Sequence, residues 1–255
     1  MTFDPRTVRP GPDELAGRVI AITGPTRGIG HAVALACAKH GATVVLVGRN
    51  VKRLEAVHAD IEKAGGVEPT IAPFDLEKAV ASDYDSLASA LMERYGRLDG
   101  LVHNAGILGM LAPIDHYDVP TWYRVMHVNT TAAFALTHVL LPVMRRSEDA
   151  SIIFTSSSVG RKARAYWGAY AVSKYAIEGL SELLAQELEN ATPAPIRVNT
   201  LNPGPARTSM RLQAYPSENP DSMTPPEQLV GPYLALLGPQ SRGITGQRFD
   251  AQPPR

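Results

Sequence analysis

Residues 19–30 read VIAITGPTRGIG, and how this stretch folds decides the architecture. Five apolar or β-branched residues without polar alternation, closed by glycine, read as a strand buried on both faces. The pattern AVALACAKH that follows is helical and ends at Gly41, a C-cap residue. Between strand and helix lie Gly24, Gly28 and Gly30. Such a turn lets the backbone bend sharply and brings a pyrophosphate to the N–H groups of a helix N-terminus without meeting a Cβ. Gly24, Thr26, Arg27, Gly28, Ile29 and Gly30 are therefore candidate nucleotide contacts. The spacing is GxxxGxG rather than GxGxxG, and a plain tight turn accounts equally well for the glycines taken alone.

Working outward, the same cycle recurs. Strands are predicted at 43–47 (TVVLV), 67–72, 98–103 (LDGLVH), 151–155 (SIIFT), 196–201 (IRVNTL) and 246–250. Helices are predicted at 51–64, closed by Gly65 and Gly66, at 82–95, at 120–144 with a kink at Pro142, at 168–190 and at 227–237. Regular alternation predicts right-handed β-α-β units: an α/β, Rossmann-type doubly wound parallel sheet of about seven strands with helices on both faces. Residues 1–255 read as a single domain with an N-terminal arm, 1–16. Residues 202–226, rich in Pro, Ser and Asn, are expected to be a mobile substrate-binding segment beyond a strand end.

Lys plus Arg and Asp plus Glu each number 25, so no global field favours nucleic acid or an anionic membrane. One cysteine, Cys37, sits in an apolar helical pattern and reads as a small core residue. That count and the absence of an apolar leader lead us to expect a reducing, cytoplasmic setting. The longest apolar stretch, 130–144, is interrupted by His138 and Pro142. It falls short of the roughly 20 residues that a spanning helix needs. Seven histidines are scattered without ligand spacing, so no metal site is expected.

The second strand should end beside the adenosine ribose, where an NAD site places an acid. Here it runs into Gly48, Arg49 and Asn50, with no carboxylate, and Arg27 lies in the glycine turn. Two guanidiniums suit a 2′-phosphate, which favours NADP(H) over NAD(H), although either arginine singly could be a solvated surface residue.

In WGAYAVSK, 167–174, Tyr170 and Lys174 share a helix face and begin the inward row completed by Ile177, Ser181, Leu184 and Leu188. A tyrosine is a poor acid or base near neutrality. Bringing its pKa of about 10 down by about 3 takes roughly 4 kcal/mol of preferential phenolate stabilisation, which a lysine and an oxidised nicotinamide could provide. Tyr170 would then exchange a proton with a carbonyl or hydroxyl oxygen while a hydride passes to or from the nicotinamide. Ser157, just past the fifth strand, could hydrogen-bond that oxygen, with Ser156 and Ser158 as neighbours easily mistaken for it.

TGPTRGIG, Asn104-Ala105-Gly106, Asn129 in HVNTT, Ser157, Tyr170-x-x-x-Lys174 and Pro203-Gly204 through Thr208 together resemble the short-chain dehydrogenase/reductase family, in order and spacing, over about residues 19–210. TSSSVGRKARAYWGAYAVSK and the ending FDAQPPR resemble its bacterial YciK-type branch. One departure is Pro25, where the family usually carries a small residue. The resemblance implies Tyr170 as catalytic acid/base, Ser157 positioning substrate, Lys174 lowering the tyrosine pKa and holding the nicotinamide ribose, and Asn129 holding a water in a proton relay. It also implies that Asp75 and Leu76 lie at the adenine and that Thr208 meets the nicotinamide carboxamide. Homo-oligomers built on the two long helices, tetramer ahead of dimer, follow from the resemblance too.

The leading expectation is an NADP(H)-dependent oxidoreductase interconverting a carbonyl and an alcohol. The alternatives are a non-catalytic NADP(H)-binding regulatory protein, which would not need Asn129, Ser157, Tyr170 and Lys174 together, and an enoyl reductase on the same scaffold. Arg161, Lys162, Arg164, Arg207 and Arg211 could give the pocket mouth a positive rim that selects an anionic substrate.

Overall fold

The computed structural model describes residues 3–190 and 194–253. Seven strands form one parallel sheet: β1 (Val19–Thr23), β2 (Thr43–Gly48), β3 (Thr70–Pro73), β4 (Gly100–His103), β5 (Ala150–Thr155), β6 (Ile196–Asn202) and β7 (Arg248–Asp250). Their order is β3-β2-β1-β4-β5-β6-β7. β1 pairs with both β2 and β4, so the winding direction reverses between β1 and β4. A crevice opens at such a reversal, outside the carboxyl ends of the strands.

Helices α1 (Gly28–Lys39), α2 (Val51–Lys63), α3 (Ala81–Tyr95), α4 (Val119–Met126), α5 (Ala132–Met144), α6 (Gly168–Leu188), α7 (Ser209–Ala214) and α8 (Val230–Leu237) surround the sheet. The strands lack polar alternation because both pleat faces are covered. Val19 and Ala21 of β1, Val45 and Val47 of β2, and Ile152 and Phe154 of β5 face the layer that holds α3, α5 and α6. Ile20, Ile22, Val44, Leu46 and Ile153 face α1, α2 and α8. The predicted class, single-domain organisation and strand number hold. Cys37 lies in the second layer, its thiol pushed up to about 12 by burial. The N-terminal arm is docked: Leu15 is fully buried with its N–H on the His40 carbonyl, and Phe3 meets Phe249 edge-on.

The predicted helix 120–144 differs in one respect. The break falls at a π-helical stretch, His127–Thr131, between α4 and α5, whereas α5 continues through Pro142. Pro142 sits in the last turn, two residues before the helix stops, and has no N–H to give to the His138 carbonyl one turn earlier. Asn129 lies inside the wide turn, where a π-bulge commonly marks a functional site. Residues 202–226, read as aperiodic, hold the short helix α7 and a bridge from Ala206 to Thr224. Among the described residues no helix is long and apolar enough to cross a membrane.

Candidate active site

A cleft of about 530 Å³ runs along the carboxyl ends of the strands. Of the residues singled out from the sequence, Gly24, Thr26, Arg27, Gly28, Ile29, Arg49, Asp75, Leu76, Asn104, Ala105, Gly106, Ser157, Tyr170, Lys174, Pro203, Gly204 and Thr208 all line it. Gly30 and Asn129 do not.

At the glycine turn, Gly24 and Gly28 have positive φ, 65° and 56°. A Cβ at Gly24 would meet the Ala105 backbone at 3.0 Å. Gly30 packs behind the turn, where a Cβ would lie well inside 3.0 Å of the Gly24 carbonyl oxygen and the Asn104 side-chain amide. That amide donates from Nδ2 to the Thr23 and Gly24 carbonyls, both at 3.2 Å. Thr23 Oγ1 in turn accepts from the N–H groups of Asn104 and Ala105, both at 3.0 Å. Gly30 therefore lets the ends of β1 and β4 lock together and set the turn's shape. Thr23 is a site residue the motif reading passed over; it is the last residue of an apolar run and looked like strand.

At the end of β2 the cleft is ringed by Arg27, Arg49 and a third guanidinium, Arg53. Arg53 went unread because it lies in the helix after the strand. It is presented by the first turn of α2, whose cap is Asn50 accepting the Arg53 N–H at 3.0 Å. Arg49 is exposed and meets Glu77 at 3.4 Å. Glu77 is also held by Arg124, at 2.7 and 3.0 Å, which keeps its carboxyl below the ordinary range. The Glu77 carboxylate at this corner is thus balanced by two arginines. Asp75 Oδ1 accepts the Glu77 N–H at 3.0 Å and shapes the loop after β3.

At the other end, Tyr170 and Lys174 begin the inward row of α6, as their spacing predicted, and both are buried. Lys174 Nζ donates to the Thr155 carbonyl at 2.7 Å and lies 5.6 Å from the Tyr170 ring centre. Of the three serines, Ser157 is the one whose side chain acts on the Tyr170 hydroxyl, favouring its ionised form. Ser156 turns inward and donates to the buried Glu178, and Ser158 opens a 3-10 turn. The ordinary expectation for a tyrosine beside a lysine is a lowered pKa. Here burial pushes Tyr170 up to about 12, the Ser157 hydrogen bond opposing, because the ammonium is directed at a backbone carbonyl. Burial likewise brings Lys174 down to about 8, with Glu178 opposing.

Glu178 was also missed, although it continues the i, i+4 row from Tyr170 and Lys174. It accepts from Thr200 Oγ1 at 2.8 Å and pairs with Arg161 at 3.1 Å. Arg161 also reaches Asp250 at 3.0 Å and the Phe249 carbonyl at 2.8 Å. This buried network ties the loop carrying Ser157 to α6, β6 and β7.

Asn129 stands behind the cleft. Its Oδ1 accepts the Ile107 N–H at 2.8 Å, and its Nδ2 donates to the Ile107 carbonyl and Ser173 Oγ, both at 3.0 Å. The side chain is thereby committed to holding the segment after β4. Beside it, buried His103 stacks on Phe154 at 4.7 Å and bonds Thr137 Oγ1 at 2.8 Å. Burial, and then the Lys174 charge, bring His103 down to about 3. The unfolded chain takes up a proton near pH 6.5 that the folded chain refuses until about pH 3, so this group's stabilisation is complete above pH 6.5 and lost as pH falls. His103→Phe keeps the stack, and Thr137 keeps its bond to the Ala133 carbonyl. We expect urea midpoints to show wild type losing about 2 kcal/mol more than His103→Phe between pH 7 and pH 5. Equal losses would mean that His103 is protonated in the fold.

Beyond β6, Gly204 has φ 71° and Gln252 Nε2 bonds the Pro203 and Pro205 carbonyls at 2.8 and 3.0 Å. Thr208 caps α7 and lies over Gly28, closing the cleft above the glycine turn. The expected positive rim is different in kind. Among Arg161, Lys162, Arg164, Arg207 and Arg211, Arg211 alone lines the cleft, and it is paired with Glu218. Arg207 pairs with Asp221 and Arg164 donates to the Tyr215 hydroxyl.

Residues 18–219 match the family model for short chain dehydrogenases. The uncharacterised oxidoreductase YciK of Escherichia coli K12 is 43% identical over 247 residues, which is 97% of this chain and 96% of YciK. A short chain dehydrogenase from Pseudomonas syringae superposes with a TM-score of 0.93 at 52% identity, over 96% of this chain and 98% of that one. One from Escherichia coli CFT073, solved in complex with NADPH, superposes at 0.92 with 44% identity over 96% and 100%. With the strand order and the glycine turn already in place, similarity across nearly the whole chain leaves one conclusion: this protein belongs to the short-chain dehydrogenase/reductase family of oxidoreductases.

Proposed function

We propose that this protein is an NADP(H)-dependent oxidoreductase that interconverts a carbonyl and an alcohol, with Tyr170 as proton donor and acceptor. The observation that carries the reading is one continuous cleft with three arginines at one end and the Ser157, Tyr170 and Lys174 side chains at the other. The NADPH-bound relative supports the choice of cofactor.

The residues fit that cofactor. Gly24 to Gly28 leave room for a pyrophosphate at the start of α1, Arg27, Arg49 and Arg53 face the place of a 2′-phosphate, and Leu76 and Asp75 border the adenine side. Asn104, Ala105, Gly106, Pro203, Gly204 and Thr208 line the nicotinamide side, and Lys174 is placed for its ribose. Bound there, the nicotinamide would supply a hydride to a carbonyl carbon or accept one from an alcohol carbon. In reduction the proton on Tyr170 passes to the carbonyl oxygen, and the Lys174 ammonium and Ser157 hydroxyl stabilise the phenolate left behind. With its pKa near 8, Lys174 is mostly charged at neutral pH, while the high pKa of Tyr170 keeps the proton in place until it is needed. Asn129 acts by fixing the Ile107 peptide beside the reacting centre. Phe134 of α5 and Val172, Tyr175 and Leu183 of α6 are large apolar side chains left exposed, which supports assembly as a homo-oligomer through these helices.

Fluorescence titration tests the cofactor half. NADPH is expected to bind at least tenfold more tightly than NADH, and Arg27→Ala or Arg49→Ala each to weaken NADPH by about tenfold, the worth of one exposed charge-assisted contact, without changing NADH. Equal affinities for the two dinucleotides would overturn the NADP(H) assignment. NADPH oxidation with a panel of aldehydes, ketones and quinones tests the other half, and tight binding without turnover on any of them would point to the regulatory alternative.

A further inference from the structure

We propose that the substrate of this site carries a flat, uncharged aromatic group beside its carbonyl, seated against Trp167. The inference rests on the oxidoreductase reading above and names the substrate class for it.

Beyond Tyr170 the cleft is walled by Leu108, Trp167, Met210 and Ala214. These four pack with Tyr170, Val159 and Ala171 as one apolar cluster. The Trp167 indole is half-buried, its ring 5.7 Å from Tyr170 at 52° and 5.9 Å from Tyr215 at 47°. It is thus held on both sides at the cleft wall, next to the phenol that exchanges the proton. An indole, a thioether and small aliphatic side chains along one wall of the cleft suit an aryl ring, which gains offset or edge contacts on Trp and sulfur contacts on Met.

The charges point the same way. Arg211, the one member of the basic rim that lines the cleft, receives Glu218 on Nε and Nη2 and lies over the Tyr215 ring, 3.8 Å from its centre. A substrate anion would have to displace a carboxylate already in place, and it would do so in an apolar surrounding that penalises an unpaired charge. Two hydroxyls, on Tyr170 and Ser157, serve the reacting oxygen at this end. In the step itself the carbonyl carbon gains a hydride from NADPH and the oxygen gains the Tyr170 proton, which yields the aryl-substituted alcohol and NADP⁺.

Three probes of one ring size test this: benzaldehyde, cyclohexanecarboxaldehyde and 4-carboxybenzaldehyde. We expect kcat/KM with NADPH to be highest for benzaldehyde and at least roughly tenfold lower for the carboxylate. Trp167→Ala should lower the benzaldehyde value by roughly 10- to 100-fold and the cyclohexane value by less than about threefold, while NADPH affinity is unchanged and Trp167→Phe keeps most of the aryl preference. A second readout does not need turnover. The chain has two tryptophans, so Trp122→Phe leaves Trp167 as the sole tryptophan, read by excitation at the red edge where the tyrosines do not absorb. In the presence of NADP⁺, benzaldehyde should quench it saturably and the carboxylate should not. Saturable quenching without NADPH oxidation would sink the oxidoreductase reading and support the aryl pocket. Turnover that prefers the carboxylate, or a Trp167→Ala loss equal for both neutral aldehydes, would overturn the aryl pocket and leave the oxidoreductase reading standing.

Discussion

Tyr170→Phe is expected to lower NADPH-dependent carbonyl reduction by about 10³-fold while leaving NADPH affinity within about twofold. The substitution removes one oxygen and keeps the ring that packs with Leu108, Val159 and Trp167. That oxygen is where the proton resides: burial pushes its pKa up to about 12, among the described residues no carboxylic acid lines this end of the cleft, and the Lys174 ammonium is turned to the Thr155 carbonyl. Without it, the oxygen of the reacting carbonyl has only the Ser157 hydroxyl as a partner, which can donate a hydrogen bond but is a much weaker proton source. Thermal melting separates loss of chemistry from loss of fold, since the variant gives up one hydrogen bond, worth about 1 kcal/mol, and Tm should drop by no more than a few degrees. Residual turnover within tenfold of wild type would show that another group supplies the proton.

Gly30→Ala is expected to be the most damaging single-methyl change in the glycine turn, costing at least about 3 kcal/mol and roughly 6–12 °C in Tm. Helix propensity alone would favour the change by about 1 kcal/mol, because Gly30 lies in α1. The collision wins, since the new methyl would run into the Gly24 backbone and an Asn104 amide already committed to two carbonyls, neither of which can swing aside. Gly231→Ala provides the control: it lies in α8 with nothing within 4 Å of its virtual Cβ and should be neutral or gain up to about 1 kcal/mol. If both variants melt like wild type, the β1 and β4 ends are not locked as the structure shows.

The two arguments differ in what the sequence could supply. The tyrosine and lysine were legible because they are four apart on one helix, and a helix places such pairs whatever surrounds it. Ser157 could be named only with its two neighbours as rivals, because a run of three serines past a strand has no local rule for which hydroxyl faces the cleft. Only the fold draws Ser156 inward to Glu178 and leaves Ser157 acting on the Tyr170 hydroxyl. Glu178 itself was passed over because a charge on a buried stripe reads as an exception until its partners Arg161, Thr200 and Ser156 arrive from other elements. The π-helical break at Asn129 was likewise invisible, since no local spacing marks it, while Pro142 is carried inside α5.

By itself the sequence determined the parallel sheet of seven strands, the glycine turn that opens α1 and the Tyr170 to Lys174 pair. Each depends on periodicity or on backbone rules that act over a few residues. The tertiary structure alone decided which charges are already spent and which hydroxyls stay protonated. Arg211 is neutralised by Glu218 seven residues away, Arg161 by Asp250 from the far edge of the sheet, and Tyr170 is raised rather than lowered because burial outweighs a lysine turned towards a carbonyl. Desolvation and ion pairing depend on what the fold packs around a group, and no spacing along the chain records it.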